Sequence, residues 1–211
     1  MRVKICGLKT PTMVDAAVAA GADYLGFVFF EKSPRNVTFD LASQLVGQVP
    51  PGVCKTALVV DPTDQMLDEM SATVALDMIQ LHGGETPTRV SEIKSRLGLP
   101  VMKAVGIADE SDLAKISDYS AVADQLLVDA KPPKDADIPG GNGLSFDWRL
   151  LSGRRWAVPW MLAGGLTPEN VAEAVNLTGA DQVDVSSGVE NAPGEKSATL
   201  IEAFISAAKA E

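Results

Sequence analysis

The sequence predicts an α/β fold, a single-domain (β/α)8 barrel of the TIM type spanning residues 1–211. Three observations carry that expectation. Short apolar β runs alternate with helical patterns along the whole chain, and eight of each can be counted. The length of 211 residues lies near the lower end of the range for such barrels, which begins at about 200. No linker or low-complexity stretch divides the chain, so a doubly wound open sheet, the main rival, would need eight parallel strands without a second domain.

In order, strand one is expected over Val3–Cys6, with a helix after Pro11 that Gly21 stops. Strand two covers Tyr24–Phe30 and helix two runs from about Asp40 to Gln48. Strand three covers Val53–Val60, and helix three opens after Asp61-Pro62-Thr63 and reaches about Met70. Leu76–Leu81 and Val101–Val105 read as strands four and five, followed by helices over Pro87–Leu97 and Glu110–Ser117. Strand six is Gln125–Asp129, with a helix starting near Asp147. Strand seven is Pro159–Leu162 with a helix from Pro168 to about Asn176, and strand eight is Gln182–Val185 with a last helix over Ala198–Lys209. The one long connection, Lys131 to Phe146, is about 15 residues where two to six are usual, a length typical of lids and binding loops.

Composition narrows the function. Hydrophobic residues make up 46% and charged residues 22%, an ordinary globular balance. The net charge is −10, from 18 Lys+Arg against 28 Asp+Glu. That balance disfavours nucleic acid and anionic membranes, which attract cationic surfaces. It leaves room for a phosphorylated metabolite, because backbone N–H groups alone can hold one phosphate. Two cysteines, Cys6 and Cys54, make no disulfide framework and suit a reducing cytosol. The N-terminus enters a strand directly without a signal-peptide pattern, and no stretch approaches the roughly 18 apolar residues of a membrane span. A cytoplasmic enzyme is expected.

In a barrel of this kind chemistry sits where the strands end. Alternation along strand one turns Lys4 and Cys6 inward and Val3 and Ile5 toward the helices. Cys6 then stands at the mouth, either as a small buried hydrophobe or as a reactive thiol that the nearby lysine would favour as thiolate. Asp129 ends the apolar run of strand six, as a turn residue or as a mouth carboxyl. Arg35 follows strand two, as a solvated loop arginine or as a clamp for a substrate carboxylate. His82 follows strand four as a polar mouth residue. As the only histidine, without a cysteine cluster, it argues against a zinc site. Glycine-rich turns after strands seven and eight, with Gly164, Gly165, Ser187 and Gly188, fit a phosphate site. Cys54, at the far end of strand three, reads as core, and Trp148, Trp156 and Trp160 as packing residues.

With those residues in view, the sequence resembles the phosphoribosylanthranilate isomerases of tryptophan biosynthesis over nearly its whole length. The motifs are Val3-Lys4-Ile5-Cys6-Gly7-Leu8, Gly26-Phe27-Val28-Phe29 with Ser33-Pro34-Arg35, and Gln80-Leu81-His82-Gly83. Leu127-Val128-Asp129-Ala130-Lys131, Gly140-Gly141-Asn142-Gly143, Phe146-Asp147-Trp148, Gly164-Gly165-Leu166 and Asp184-Val185-Ser186-Ser187-Gly188-Val189-Glu190 complete the set. The resemblance implies an Amadori rearrangement of N-(5′-phosphoribosyl)anthranilate to 1-(2-carboxyphenylamino)-1-deoxyribulose 5-phosphate. It implies Asp129 as general acid, Cys6 as general base, Arg35 on the anthranilate carboxylate and the two late turns on the phosphate. Lys4, His82 and Asp184 are further contact candidates. No metal or cofactor is called for, and a monomer or homodimer is expected. The chain departs from the family pattern at Ala163, where serine is usual, at Asn142, where threonine or serine is usual, and at Leu144, where a polar or basic residue is common. These touch the phosphate turn and the long loop.

The chemistry asks for one acid and one base. At pH 7 a free thiol is only a few per cent thiolate. A free aspartic acid, with a pKa of about 3.9, is protonated only about one time in a thousand. Raising that carboxyl to 7 would cost about 4 kcal/mol, and Lys131 would oppose it unless its ammonium points away from Asp129. Two rival readings are another phosphosugar isomerase or epimerase on the same fold, and a catalytically silent phosphate-binding barrel. The single histidine disfavours metal-dependent epimerases.

Overall fold

A computed structural model describes residues 1–132 and 138–210. Eight parallel strands close into a barrel in sequence order: β1 Arg2–Cys6, β2 Tyr24–Phe29, β3 Cys54–Val59, β4 Met78–Leu81, β5 Val101–Ile107, β6 Gln125–Ala130, β7 Trp160–Leu162 and β8 Gln182–Val185. The closing seam pairs β1 with β8, and Lys4 stands in register with Asp184. The helices are α1 Pro11–Ala19, α2 Phe39–Val46, α3 Asp64–Thr73, α4 Pro87–Leu97, α5 Ala114–Ser120, α6 Val171–Thr178 and α7 Ala198–Lys209. Hydroxyls start five of them: the side chains of Thr10, Thr38, Thr63, Thr86 and Ser197 accept from the backbone N–H three residues on. Each satisfies a donor that the first helical turn leaves free.

Burial splits along the strand alternation. Val3, Ile5, Leu25, Phe27 and Ile79 face the helices in the larger apolar core, with Phe204 of α7 against them. The barrel interior holds Tyr24, Met78, Met102, Leu127, Met161 and Ala163. Its floor is polar: Gln125 Nε2 donates to Gln182 Oε1 at 2.9 Å, and the Tyr24 hydroxyl lies 3.3 Å from the same oxygen.

Three expected elements differ. The helix expected near Asp147 is a single 3-10 turn, Trp148–Leu151. Asp147 caps it by accepting from the Arg149 N–H, and the chain leaves helical conformation already at Ser152 (ψ 129), just before Gly153 at φ +69, so the turn is not continued. The fifth helix opens as a 3-10 turn, Glu110–Leu113, before the α-helical Ala114–Ser120. The seventh starts at Val171 rather than Pro168, because Asn170 folds back: its Oδ1 accepts from the Thr167 N–H and its Nδ2 donates to the Gly165 carbonyl. A small hairpin, β9 Glu190–Ala192 and β10 Glu195–Lys196, follows β8 and a 3-10 turn, Ser187–Val189. Part of the long loop after β6, residues 133–137, lies outside the described residues.

One buried pair ties the β4–α4 connection to β5. Lys103 Nζ reaches Glu85 Oε2 at 2.9 Å and the Gly83 carbonyl at 2.8 Å, while Glu85 also accepts from the Asp61 and Gly83 N–H groups. Lys103→Met strips this carboxylate of its cation and should cost about 3–5 kcal/mol. Urea denaturation of the variant against the wild type checks that value.

Candidate active site

The C-terminal strand ends surround a cleft that is open to solvent at its mouth. Cys6, Arg35, His82, Asp129, Gly164, Gly165, Asp184, Ser187 and Gly188 all line it. Ala163, Asn142 and Leu144, the three departures from the family pattern, line it too. Lys4 alone of the expected residues sits beneath it, fully buried, with Nζ 2.9 Å from Asp184 Oδ1. Burial works against the Lys4 ammonium, but the Asp184 carboxylate and the Cys6 thiol outweigh it and hold the pKa above the ordinary lysine value.

Cys6 is buried immediately above that pair. Burial pushes its thiol pKa up, Lys4 pulls it down, Asp184 pushes up again and Lys196 pulls down; the net shift is upward. The lysine beside it therefore does not make a resting thiolate. Space for the sulfur comes from its neighbour on β2. A side chain at Gly26 would begin 2.8 Å from Cys6 Sγ and 3.2 Å from Lys4 Nζ.

Asp129 sits across the mouth on β6, three strands round the ring from β1. Its Oδ1 accepts from the Ala130 N–H at 2.8 Å, and its Oδ2 lies 3.3 Å from His82 Nε2. The Lys131 ammonium points elsewhere, onto both oxygens of Asp112 at 2.7 and 3.0 Å. Burial pushes the Asp112 carboxyl up, but bonds from Lys131, the Ala108 N–H and Lys115 hold it at about 2.

Arg35 is not the solvated loop residue that was one reading of it. It is buried, with Nε and Nη2 each 2.8 Å from the Glu190 carboxylate and Nη2 3.2 Å from the Gly141 carbonyl. Among the described residues its Nη1 has no partner. Lys196 completes the cluster, reaching Glu190 Oε1 at 2.7 Å and the Ser186 carbonyl at 2.8 Å. Burial pushes the Glu190 carboxyl up, but Arg35 and Lys196 hold it at about 2. Glu190 stands at the end of a quoted motif without an assigned role, and Lys196 carries no sequence signal beyond a charged stretch around Pro193-Gly194.

The two glycine turns are pressed together. A Cβ at Gly188 would run into the Leu166 carbonyl, and Gly164, at φ +88, passes 2.7 Å from the Ala130 nitrogen by the same construction. Among the described residues the Ser187 and Gly188 N–H groups donate no backbone hydrogen bond outside their turn, and both residues line the cleft. Gly140 and Gly141 roof the opposite side, against His82 and Arg35. Among the described residues no cluster of three His, Cys, Asp or Glu is placed to hold a metal ion.

Residues 3–207 match the family described as N-(5′-phosphoribosyl)anthranilate (PRA) isomerase. The chain belongs to that family. A curated N-(5′-phosphoribosyl)anthranilate isomerase from Cereibacter sphaeroides is 62% identical over 209 residues, 99% of either chain. The crystal structure of phosphoribosyl anthranilate isomerase from Thermotoga maritima superposes with a TM-score of 0.89 at 35% identity, covering 99% of this chain and 98% of that one. A second phosphoribosyl anthranilate isomerase structure, in complex with reduced 1-(o-carboxyphenylamino)-1-deoxyribulose 5-phosphate, gives 0.85 at 33% identity, with 99% and 98% covered.

Glu190 is the hub of the cluster behind Cys6. A carboxyl that titrates at about 2 when folded and at about 4.3 when unfolded stabilises the fold above pH 4.3 and loses that contribution as pH falls toward 2. Glu190→Gln should lower stability at pH 7 by about 3 kcal/mol. The gap from the wild type should narrow between pH 4.3 and 2, as chemical denaturation across that range can show.

Proposed function

We propose that this chain converts N-(5′-phosphoribosyl)anthranilate to 1-(2-carboxyphenylamino)-1-deoxyribulose 5-phosphate by general acid/base catalysis. It would act as one catalytic domain over residues 1–211, in the cytoplasm, as a monomer or homodimer. The observation that carries the reading is one cleft lined by Cys6, Asp129 and Arg35 and bounded by the glycine turns after β7 and β8. Those turns suit the phosphate, through backbone N–H groups rather than lysines. The Arg35 Nη1 edge suits the anthranilate carboxylate, with the rest of the guanidinium fixed on Glu190 so that little side-chain freedom is lost on binding.

Asp129 gives its proton to the furanose ring oxygen as the C1′–O bond breaks, and the amine lone pair forms the iminium. Cys6 then takes the C2′ proton, and the C–H electrons form the C1′–C2′ double bond of the enolamine while the iminium electrons return to nitrogen. Loss of the enol O–H proton and protonation at C1′ give the ketone. The raised Cys6 pKa bears on timing. The thiol rests protonated and must first give its proton to water in the open cleft; the iminium cation made by ring opening joins Lys4 and Lys196 in favouring the thiolate that then takes the C2′ proton. Ring opening and thiol ionisation are thereby coupled.

Fluorescent phosphoribosylanthranilate should be consumed by the wild type. Cys6→Ala and Asp129→Asn should each lower kcat by roughly 10²–10⁴-fold with the fold intact. Tight binding of the substrate without turnover would instead favour a silent phosphate-binding barrel. Near-wild-type turnover in either variant would remove that residue's role.

A further inference from the structure

Gln80 is fully buried inside the barrel on β4, an unusual place for a carboxamide. Its side chain shares a strand face with residue 82, two positions on. Gln80 Nε2 lies 2.8 Å from His82 Nδ1, and His82 Nε2 lies 3.3 Å from Asp129 Oδ2. Gln80 Oε1 is buried without a hydrogen-bond partner among the described residues. An amide nitrogen can only donate. The ring nitrogen facing it must therefore be the unprotonated one, and a neutral imidazole then carries its hydrogen on Nε2, toward Asp129.

We propose that Gln80 is a positioning residue that fixes His82 as its Nε2–H tautomer, making the imidazole a dedicated donor to Asp129. The inference rests on the acid role given to Asp129 above and says how that acid is held. When Asp129 releases its proton to the ring oxygen it becomes a carboxylate, and an Nε2–H only 3.3 Å from Oδ2 can turn onto that product and stabilise it after a small movement of the ring. The opposite tautomer would present a lone pair to Asp129 and favour the protonated acid, resisting proton transfer. Gln80 thus chooses which protonation state of Asp129 the site rewards. Among the described residues the other titratable or charged groups lining this mouth are Cys6 from β1, Arg35 after β2 and Asp184 from β8. Lys103 and Glu85 are engaged with each other behind β4, and Lys131 with Asp112.

His82 is the chain's only histidine, so its ring nitrogens can be read without assignment. In ¹⁵N NMR of the wild-type protein near pH 8, Nε2 should appear protonated and Nδ1 unprotonated. Gln80→Met keeps the volume and removes the donor. The ring should then populate both tautomers, and the basic limb of kcat against pH, set by loss of the Asp129 proton, should move up by roughly one pH unit. A wild-type spectrum dominated by Nδ1–H overturns the inference. So does a folded Gln80→Met protein with an unchanged tautomer and an unchanged limb. Should that variant fail to fold, the wild-type spectrum alone decides. An Nε2–H ring that mixes tautomers only in Gln80→Met, in a protein that does not turn over phosphoribosylanthranilate, would uphold the role of Gln80 and remove the proposed activity instead.

Discussion

The buried ion pair of Lys4 with Asp184 is the constraint on which both barrel and site depend. The two residues come from the first and last strands and stand in register across the seam that closes the ring. Two charges inside a barrel are costly unless they meet, so the pair penalises any register in which β1 and β8 slip past one another. A slip of one residue would also turn Cys6 away from the cleft. Closure of the fold and placement of the thiol are therefore one event. The same two charges act on the sulfur in opposite senses, and Gly26 leaves the space in which all three groups fit.

A second charged layer sits nearer the mouth. Arg35, Glu190 and Lys196 join the loop after β2 to the hairpin after β8, so the strands that flank Cys6 are fastened above it as well as below. Across the opening the arrangement is different in kind. Among the described residues no Lys or Arg reaches Asp129, whose Oδ1 accepts from a backbone N–H and whose Oδ2 lies near the His82 ring, while Lys131 is committed to Asp112. One side of the cleft is thus built around a thiol between two lysines and the other around a carboxyl beside a backbone N–H and an imidazole. That asymmetry suits the separate base and acid roles proposed for Cys6 and Asp129.

Much of this was legible in the chain. Strand positions followed from apolar runs punctuated by glycine and proline, and the inward alternation of Lys4 and Cys6 placed the thiol at the mouth. The misreadings share a cause. Asp147-Trp148-Arg149-Leu150-Leu151 has the apolar spacing of a helix, yet the chain leaves helical conformation at Ser152, next to a left-handed Gly153, after one turn. Arg35 offered two readings because a loop arginine carries no sign of its partner; Glu190 lies 155 positions away. Lys196 and Gln80 were silent for the same reason, since their meaning lies in contacts made only once the ring closes.

The central claim is that burial keeps the Cys6 thiol protonated while the Lys4–Asp184 pair beneath it adjusts how readily it ionises. It is tested most directly by the pH dependence of Cys6 alkylation by iodoacetamide, in a Cys54→Ala background with and without Lys4→Met. The account predicts a wild-type midpoint above that of a free thiol, and a further rise when Lys4→Met leaves Asp184 uncompensated beside the sulfur. A midpoint at or below the free-thiol value, or one that does not move when Lys4 is replaced, would contradict it.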